Sequence, residues 1–169
     1  MRSLGFLVVV LALLSASQVS AQPVPPTEGL PRIGPVRAYV ELLGNGGLGS
    51  LNVEAQVTPA LAFRAGVGYV PGYNSLPESV TVPVVLLHVP RSGGGVEVGG
   101  GVTGFYRPSP DELRVARTSY AATAVVGYRW TTREGLLLRA AFTPTVGELY
   151  GTSGLDVAPL VGFSVGGDF

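Results

Sequence analysis

Ser164, between two glycines, is the first place in this chain to look for chemistry. Gly162-Phe163-Ser164-Val165-Gly166 has the G-x-S-x-G spacing of a nucleophile elbow. That chemistry needs a strand, a sharp turn and a helix, with a histidine and an acid to activate the hydroxyl. Here the sequence stops three residues later, at Phe169, so an alternating strand is the expected reading. Gly99-Gly100-Gly101-Val102-Thr103-Gly104 matches G-x-G-x-x-G, but no helix follows to receive a pyrophosphate. His88 is the only histidine. A Ser–His or His–acid site of a lipid-modifying enzyme would face the outer leaflet, whereas His88 falls at the opposite, periplasmic end of its segment, where a rim residue is expected. The absence of cysteine excludes disulfides, thiolate metal sites and a lipoprotein anchor. No catalytic, cofactor-binding or metal-ligating residue is assigned.

Charge offers more. Arg37, Glu41, Glu54, Arg64, Glu97, Arg129, Arg139 and Asp168 all fall on the polar parity of segments whose other parity is apolar. Four bases and four acids could be taken for general acid–base pairs, but structural ion pairing is the commoner role for such groups in a filled interior. All eleven basic residues are arginine. Once Arg2 is removed with the leader, ten arginines face eleven acids, and nothing suggests a basic nucleic-acid footprint.

The elements that position these charges are strands. Residues 1–21 read as a cleaved signal peptide: Arg2, an apolar run from Leu4 to Leu14, then Val19-Ser20-Ala21. That run is too short for a helical span, which needs about 20 residues. Residues 22–35 are Pro-rich and predict an extended periplasmic arm. Residues 36–169 predict an all-β domain, an eight-stranded antiparallel up-and-down transmembrane β-barrel, with strands near 36–43, 48–57, 61–70, 79–88, 95–106, 119–130, 135–144 and 158–169. These lengths suit the roughly 9–11 residues a tilted strand needs to cross a bilayer. The connections alternate. Thr58-Pro59-Ala60, 89–94 and 131–134 are short, while 71–78, 107–118 and 145–157 are long and 44–47 is the one short outward loop. Short periplasmic turns and long outer loops are the barrel convention.

Orientation follows from the same charges. A soluble barrel would point its apolar parity inward, whereas a membrane barrel points it to lipid. Tyr120, Tyr128 and Trp130 lie on the apolar parity and suit a membrane interface, so the membrane orientation is expected. An eight-stranded bore is just wide enough for side chains to fill, and its charges must then be paired. If Thr58-Pro59-Ala60 is a three-residue turn centred on Pro59, Glu54 and Arg64 face each other across the hairpin, both inward. Arg37 and Asp168 are the corresponding guess for the seam between first and last strands. Gly99 and Gly101 are expected to make room for interior arginines. The fourth segment is apolar on both parities and is not oriented by pattern. In the loop at 107–118, Arg114 and Arg117 could meet lipopolysaccharide phosphates, although a solvated loop is the plainer reading.

Four stretches carry a resemblance: Glu41-Leu42-Leu43-Gly44-Asn45-Gly46-Gly47, Gly127-Tyr128-Arg129-Trp130, Arg139-Ala140-Ala141-Phe142-Thr143-Pro144, and the Gly162-Phe163-Ser164-Val165-Gly166 ending. They resemble small bacterial outer-membrane β-barrel proteins of OmpA/OmpX-like architecture, across residues 36–169. The Gly-rich fifth and apolar fourth strands depart from that pattern. The resemblance implies an outer-membrane barrel without an assigned activity and without a cofactor. It also implies that Phe163, Val165 and Phe169 form a terminal signal read by the outer-membrane assembly machinery. The expected surroundings are outer-membrane lipid and lipopolysaccharide, with no nucleic acid. A non-enzymatic barrel with interacting loops is the first expectation. A pore or transporter for small or hydrophobic solutes, a lipid-modifying enzyme and a soluble lipocalin-like binder are the alternatives.

Overall fold

Side-chain alternation along eight segments becomes eight strands in the computed structural model, which describes residues 34–72, 78–91, 93–108, 116–149 and 154–169. The leader expected at 1–21, and all of the Pro-rich arm but Gly34 and Pro35, lie outside these residues. The strands are β1 (Val36–Leu42), β2 (Gly49–Thr58), β3 (Leu61–Val70), β4 (Ser79–His88), β5 (Gly94–Arg107), β6 (Arg117–Thr131), β7 (Leu136–Gly147) and β8 (Asp156–Asp168). Each pairs antiparallel with its sequence neighbour, and β1 pairs β8, which closes the barrel. Closure gives every strand two partners and leaves no edge. The end where β1 begins and β8 finishes is the near end, and the opposite one is the far end. β5 and β6 run to 14 and 15 residues, longer than expected, so Arg107 and Arg117 belong to the wall, paired with each other, rather than to a loop.

The β2–β3 turn departs from the expected three-residue form. It is the two-residue Pro59-Ala60, held by Thr58 Oγ1, which accepts from the N–H groups of Ala60 (3.3 Å) and Leu61 (3.0 Å). A two-residue turn alone would put Glu54 and Arg64 on opposite faces. The ladder pairs Thr58 with Leu61 but Gln56 with Ala62, so Val57 is an extra residue on β2. That bulge restores the phase, and Glu54 stands opposite Arg64 after all.

The strand that pattern alone does not orient is settled by packing. β4 turns Ser79, Thr81, Pro83, Val85 and Leu87 inward, and Val82, Val84, Leu86 and His88 outward. Its near half contributes no charge to the bore. Val85 and Leu87, with Val89 beyond the strand, pack there against Ala62, Val125 and Ala141. Pro83 has no N–H to donate. The β3–β4 ladder accordingly lapses between Ala65↔Val84 and Gly68↔Thr81.

This packing also corrects the reading of Gly99 and Gly101. They make room for β4 rather than for arginines. Gly99 stands between Leu87 and Val125, and Gly101 between Val85 and Thr123. A Cβ at Gly99 would lie 2.7 Å from Leu87 Cδ2, and one at Gly101 would lie 2.7 Å from Val85 Cα. The obstacle at Gly101 is main chain, which cannot swing away. Gly101→Leu should therefore abolish refolding to the heat-modifiable form on gels. Gly100→Ala, whose new carbon meets nothing nearer than Thr123 O at 3.5 Å, should refold like the parent. Equal yields for the two variants would refute this packing.

Candidate functional site

Eight charged residues meet in one continuous chain of alternating sign. It starts at the seam, where Arg37 Nε donates to Asp168 Oδ1 at 2.6 Å. Arg37 Nη1 lies 3.6 Å from Glu54 Oε1. Both Glu54 oxygens then accept from Arg129 Nη1 and Nη2 at 2.7 Å, an end-on fork. Arg129 Nε donates to Glu97 Oε2 at 2.8 Å, and Arg139 Nε donates to Glu97 Oε1. Arg139 Nη1 donates to Glu41 Oε2 at 2.6 Å, and Arg64 Nη1 closes on the same oxygen at 3.4 Å. The order is Asp168, Arg37, Glu54, Arg129, Glu97, Arg139, Glu41, Arg64, with acid and base alternating throughout.

Strand register explains the route. Arg37 is directly opposite both Glu54 and Asp168, so the first links are nearest-neighbour cross-strand pairs. Arg129 and Arg139 are also directly opposite each other, an unfavourable like-charge pair on its own. Glu97 resolves it. It lies on β5 opposite Gly127, and no side chain there stands between its carboxylate and the two guanidinium groups. Arg139, Ser164 and Glu41 form a row across β7, β8 and β1. Ser164 Oγ accepts from Arg139 Nη1 and donates to Glu41 Oε2, each at 3.3 Å. The serine of the apparent nucleophile elbow is thus a buried hydroxyl spacer in a strand that continues to Asp168. His88 faces outward, next to Leu61 and Val98 in register.

Glu54 and Arg64 face each other inward, yet neither takes the other as its ionic partner. The Glu54 carboxylate reaches across the bore to β6, and Arg64 reaches toward the far end, to Glu41 and to Asn45 Oδ1 (3.4 Å). Side-chain length decides this. The bore is narrow enough for an arginine to cross, so a pair need not be formed by neighbours.

Residues 44–47, expected as a short outward loop, turn inward instead. Gly44, Asn45 and Gly46 are buried. Gly47 N–H donates to Gly44 O at 2.9 Å, and Gly47 has φ +94°. Leu43, just before the tip, takes φ +63°, a left-handed conformation that a branched side chain adopts at a cost of roughly 1–2 kcal/mol. The inserted tip holds it there. Thr81 Oγ1 donates to Gly46 O at 2.7 Å. A Cβ at Gly68 would lie 2.8 Å from the Gly46 carbonyl carbon, and one at Gly162 would lie 2.9 Å from Gly44 Cα. Glycines on β3 and β8 thus form the socket for glycines of the hairpin. Beyond it, on β5–β7, hydroxyl groups of Thr103, Thr123 and Thr145 form a line at 2.9 and 3.3 Å. Side chains and main chain enter the bore at two levels, as the ion-pair chain and as the hairpin tip.

On the outer face, Phe163 and Val165 are more than half exposed, and the Phe169 side chain is itself exposed. Arg114 lies outside the described residues. Arg117 is at the far mouth, 2.5 Å from Glu148 Oε1. Among the described residues no group of three metal-capable side chains occurs.

No family model matches the chain, and no curated protein matches it. Among solved structures it is similar to the N-terminal β-barrel domain of Pseudomonas aeruginosa OprF, with a TM-score of 0.57 and 12% identity, over 80% of this chain and 96% of that one. At that identity the likeness is one of fold: an OmpA-like, closed, eight-stranded antiparallel barrel.

The chain's middle and its end should respond differently to mutation. Glu97→Gln leaves Arg129 and Arg139 opposed in the interior and should cost about 3–5 kcal/mol, the range for stripping one partner from a buried pair. Asp168→Asn touches the solvent-exposed end, where its side chain is 32% accessible, and should cost about 1 kcal/mol or less. Urea unfolding of refolded protein followed by tryptophan fluorescence measures both, and similar losses would contradict the chain's assigned direction.

Proposed function

We propose that this chain is an integral outer-membrane β-barrel protein, non-enzymatic, with a closed bore and with far-end loops that meet partners at the cell surface. The supporting observation is its inside-out distribution of polarity. Inward positions hold Glu41, Glu54, Arg64, Glu97, Arg129 and Arg139, all buried. Outward positions hold Val53, Phe63, Val67, Leu86, Val126, Phe142, Val161 and Phe163, all exposed. In water, an apolar belt around a whole barrel would far exceed the few hundred Å² a monomer ordinarily exposes. In a bilayer the same belt is solvated by lipid, and the closed ladder satisfies every strand without water.

Aromatic placement supports the same reading. Tyr128 and Trp130 sit on the outer face near one end, and Tyr69, Tyr106 and Tyr120 near the other. Two aromatic girdles flanking an aliphatic band suit two membrane–water interfaces. In this reading the near end is periplasmic, the segment at 1–21 directs export, and Phe163, Val165 and Phe169 serve recognition by the assembly machinery. The eight charged residues of the chain are structural in this reading, because each of its guanidinium groups is already held by a carboxylate and Ser164 by two charged neighbours.

Fractionation of a Gram-negative host expressing the whole chain tests the address. The protein should stay in the outer-membrane pellet after carbonate extraction, and its release would overturn the membrane reading. Planar bilayers test the bore. Reconstituted protein should carry no steady single-channel current, and a stable conductance would replace the closed bore with a pore.

A further inference from the structure

Arg107 stands apart from the ion-pair chain. It ends β5 at the far mouth and faces inward with only 7% of its surface accessible. Every guanidinium of the chain meets a carboxylate, but Arg107 meets none. Its Nη2 donates to the main-chain carbonyls of Leu149 and, at 3.4 Å, Glu148. Its Nε and Nη1 have no acceptor. The residue in register across from it is Arg117. Among the described residues, the charged groups close enough to act on Arg107 are that arginine and Glu148. The Glu148 carboxylate is held by Arg117 Nη2 at 2.5 Å, and its carbonyl also accepts from Ser119 Oγ at 2.9 Å.

A guanidinium does not deprotonate in a protein, so burial cannot neutralise this one as it could a lysine. The apolar layer of Ala121, Leu149 and Ala158, with Phe105 and Leu160, lies in the same part of the barrel and weakens dielectric screening there. Among the described residues no negatively charged acceptor meets Arg107. We propose that Arg107 anchors an oxyanion site at the far mouth, and that its ligand is a phosphate group. A phosphate suits it because several charged oxygens on one centre can accept from Nε and Nη1 together, the two donors left without an acceptor. The group could come from free phosphate or from the headgroup of a phosphorylated lipid.

The probe is inorganic phosphate, titrated at constant ionic strength against chloride into the refolded full chain in zwitterionic micelles. The phosphorus-31 resonance of phosphate should broaden with the parent protein, and the thermal midpoint should rise with phosphate and not with chloride. Arg107→Gln should weaken binding on the order of tenfold or more, as expected for charged hydrogen bonds. It should fold at least as well as the parent without phosphate, since an unneutralised buried charge is removed. If Arg107→Gln fails to fold, Arg107→Lys replaces it, keeping the charge without the fork, and should bind more weakly than the parent. Absence of broadening with the parent protein, or equal broadening with Arg107→Gln, overturns the site. In vesicles containing phosphorylated lipid A, free phosphate should be displaced if the lipid is the source. Displacement equal to that by dephosphorylated lipid A assigns the site to free phosphate. Only the vesicle experiment rests on the membrane reading. A protein released by carbonate that still broadens the phosphorus signal would refute that reading and keep the site.

Discussion

The bridge from Glu97 to both Arg129 and Arg139 is the contact on which the rest of the interior depends. Two arginines directly opposite on adjacent strands repel each other, and only a carboxylate reaching between them makes that register acceptable. Once the bridge is made, the outward-running guanidinium nitrogens are aimed across the bore. Arg129 turns its end-on fork to Glu54 on β2, and Arg139 turns Nη1 to Glu41 on β1. The chain therefore ties β5–β7 to β1–β3 through the lumen, independently of the ladder that ties them through the wall. Each interior carboxylate meets two guanidinium groups, so desolvation of each carboxylate is compensated by two partners of opposite sign.

The wall is shaped to fit that chain. The Val57 bulge sets the phase of β2 against β3, and without it Glu54 or Arg64 would face outward. Gly127 leaves space beside Arg129 for the Glu97 carboxylate, while Gly99 and Gly101 let β4 and β5 approach closely around an apolar patch. The apolar patch is built around β4, with Ala62, Val125 and Ala141 from strands that also carry Arg64, Arg129 and Arg139. β4 is apolar on both faces because its outer face joins the exposed belt and the near half of its inner face forms that patch.

Much of this was legible in the sequence, for a physical reason. A closed barrel of eight strands imposes a strict period of two, and a period of two can be read without knowing any contact. That is why parity alone placed Glu41, Arg64 and Arg139 on one face, and why the strand count was readable. Three things were not legible. The partner of each charge depends on how far an arginine reaches across the lumen, which no local spacing encodes, so Glu54 was matched to its neighbour Arg64 although its carboxylate meets Arg129. The bulge at Val57 follows from the hydrogen bonds of Thr58 in the turn, and the expected three-residue turn gave the same register by a different route. The inward hairpin at Gly44–Gly46 has no periodic signal at all. Its trace is the matching glycines at 68 and 162, far away in sequence, whose purpose is visible only once the tip is seen between them.

In the closed bore proposed above, a linear chain of pairs makes a better seal than the same pairs in isolation. An ion crossing such a bore would have to break at least one link. In a chain, the freed arginine keeps a second carboxylate but loses the geometry that held it, and its former partner retains a single cation. Breaking the Glu97 link is worst, because it returns Arg129 and Arg139 to direct opposition. The least costly point is the Arg37–Asp168 end, which is the most accessible link of the chain and lies at the near mouth, where opening it connects to nothing beyond Glu54. At the opposite end, Arg64 is anchored to Asn45 of the inserted hairpin, so loosening that terminus also means lifting the hairpin tip. The weak points of the chain therefore lie at its two ends, and neither alone opens a path through the middle. The same reasoning sets Arg107 apart. It shares no carboxylate with the chain and sits at the far mouth, so neutralising it from outside leaves the pairs of the chain intact.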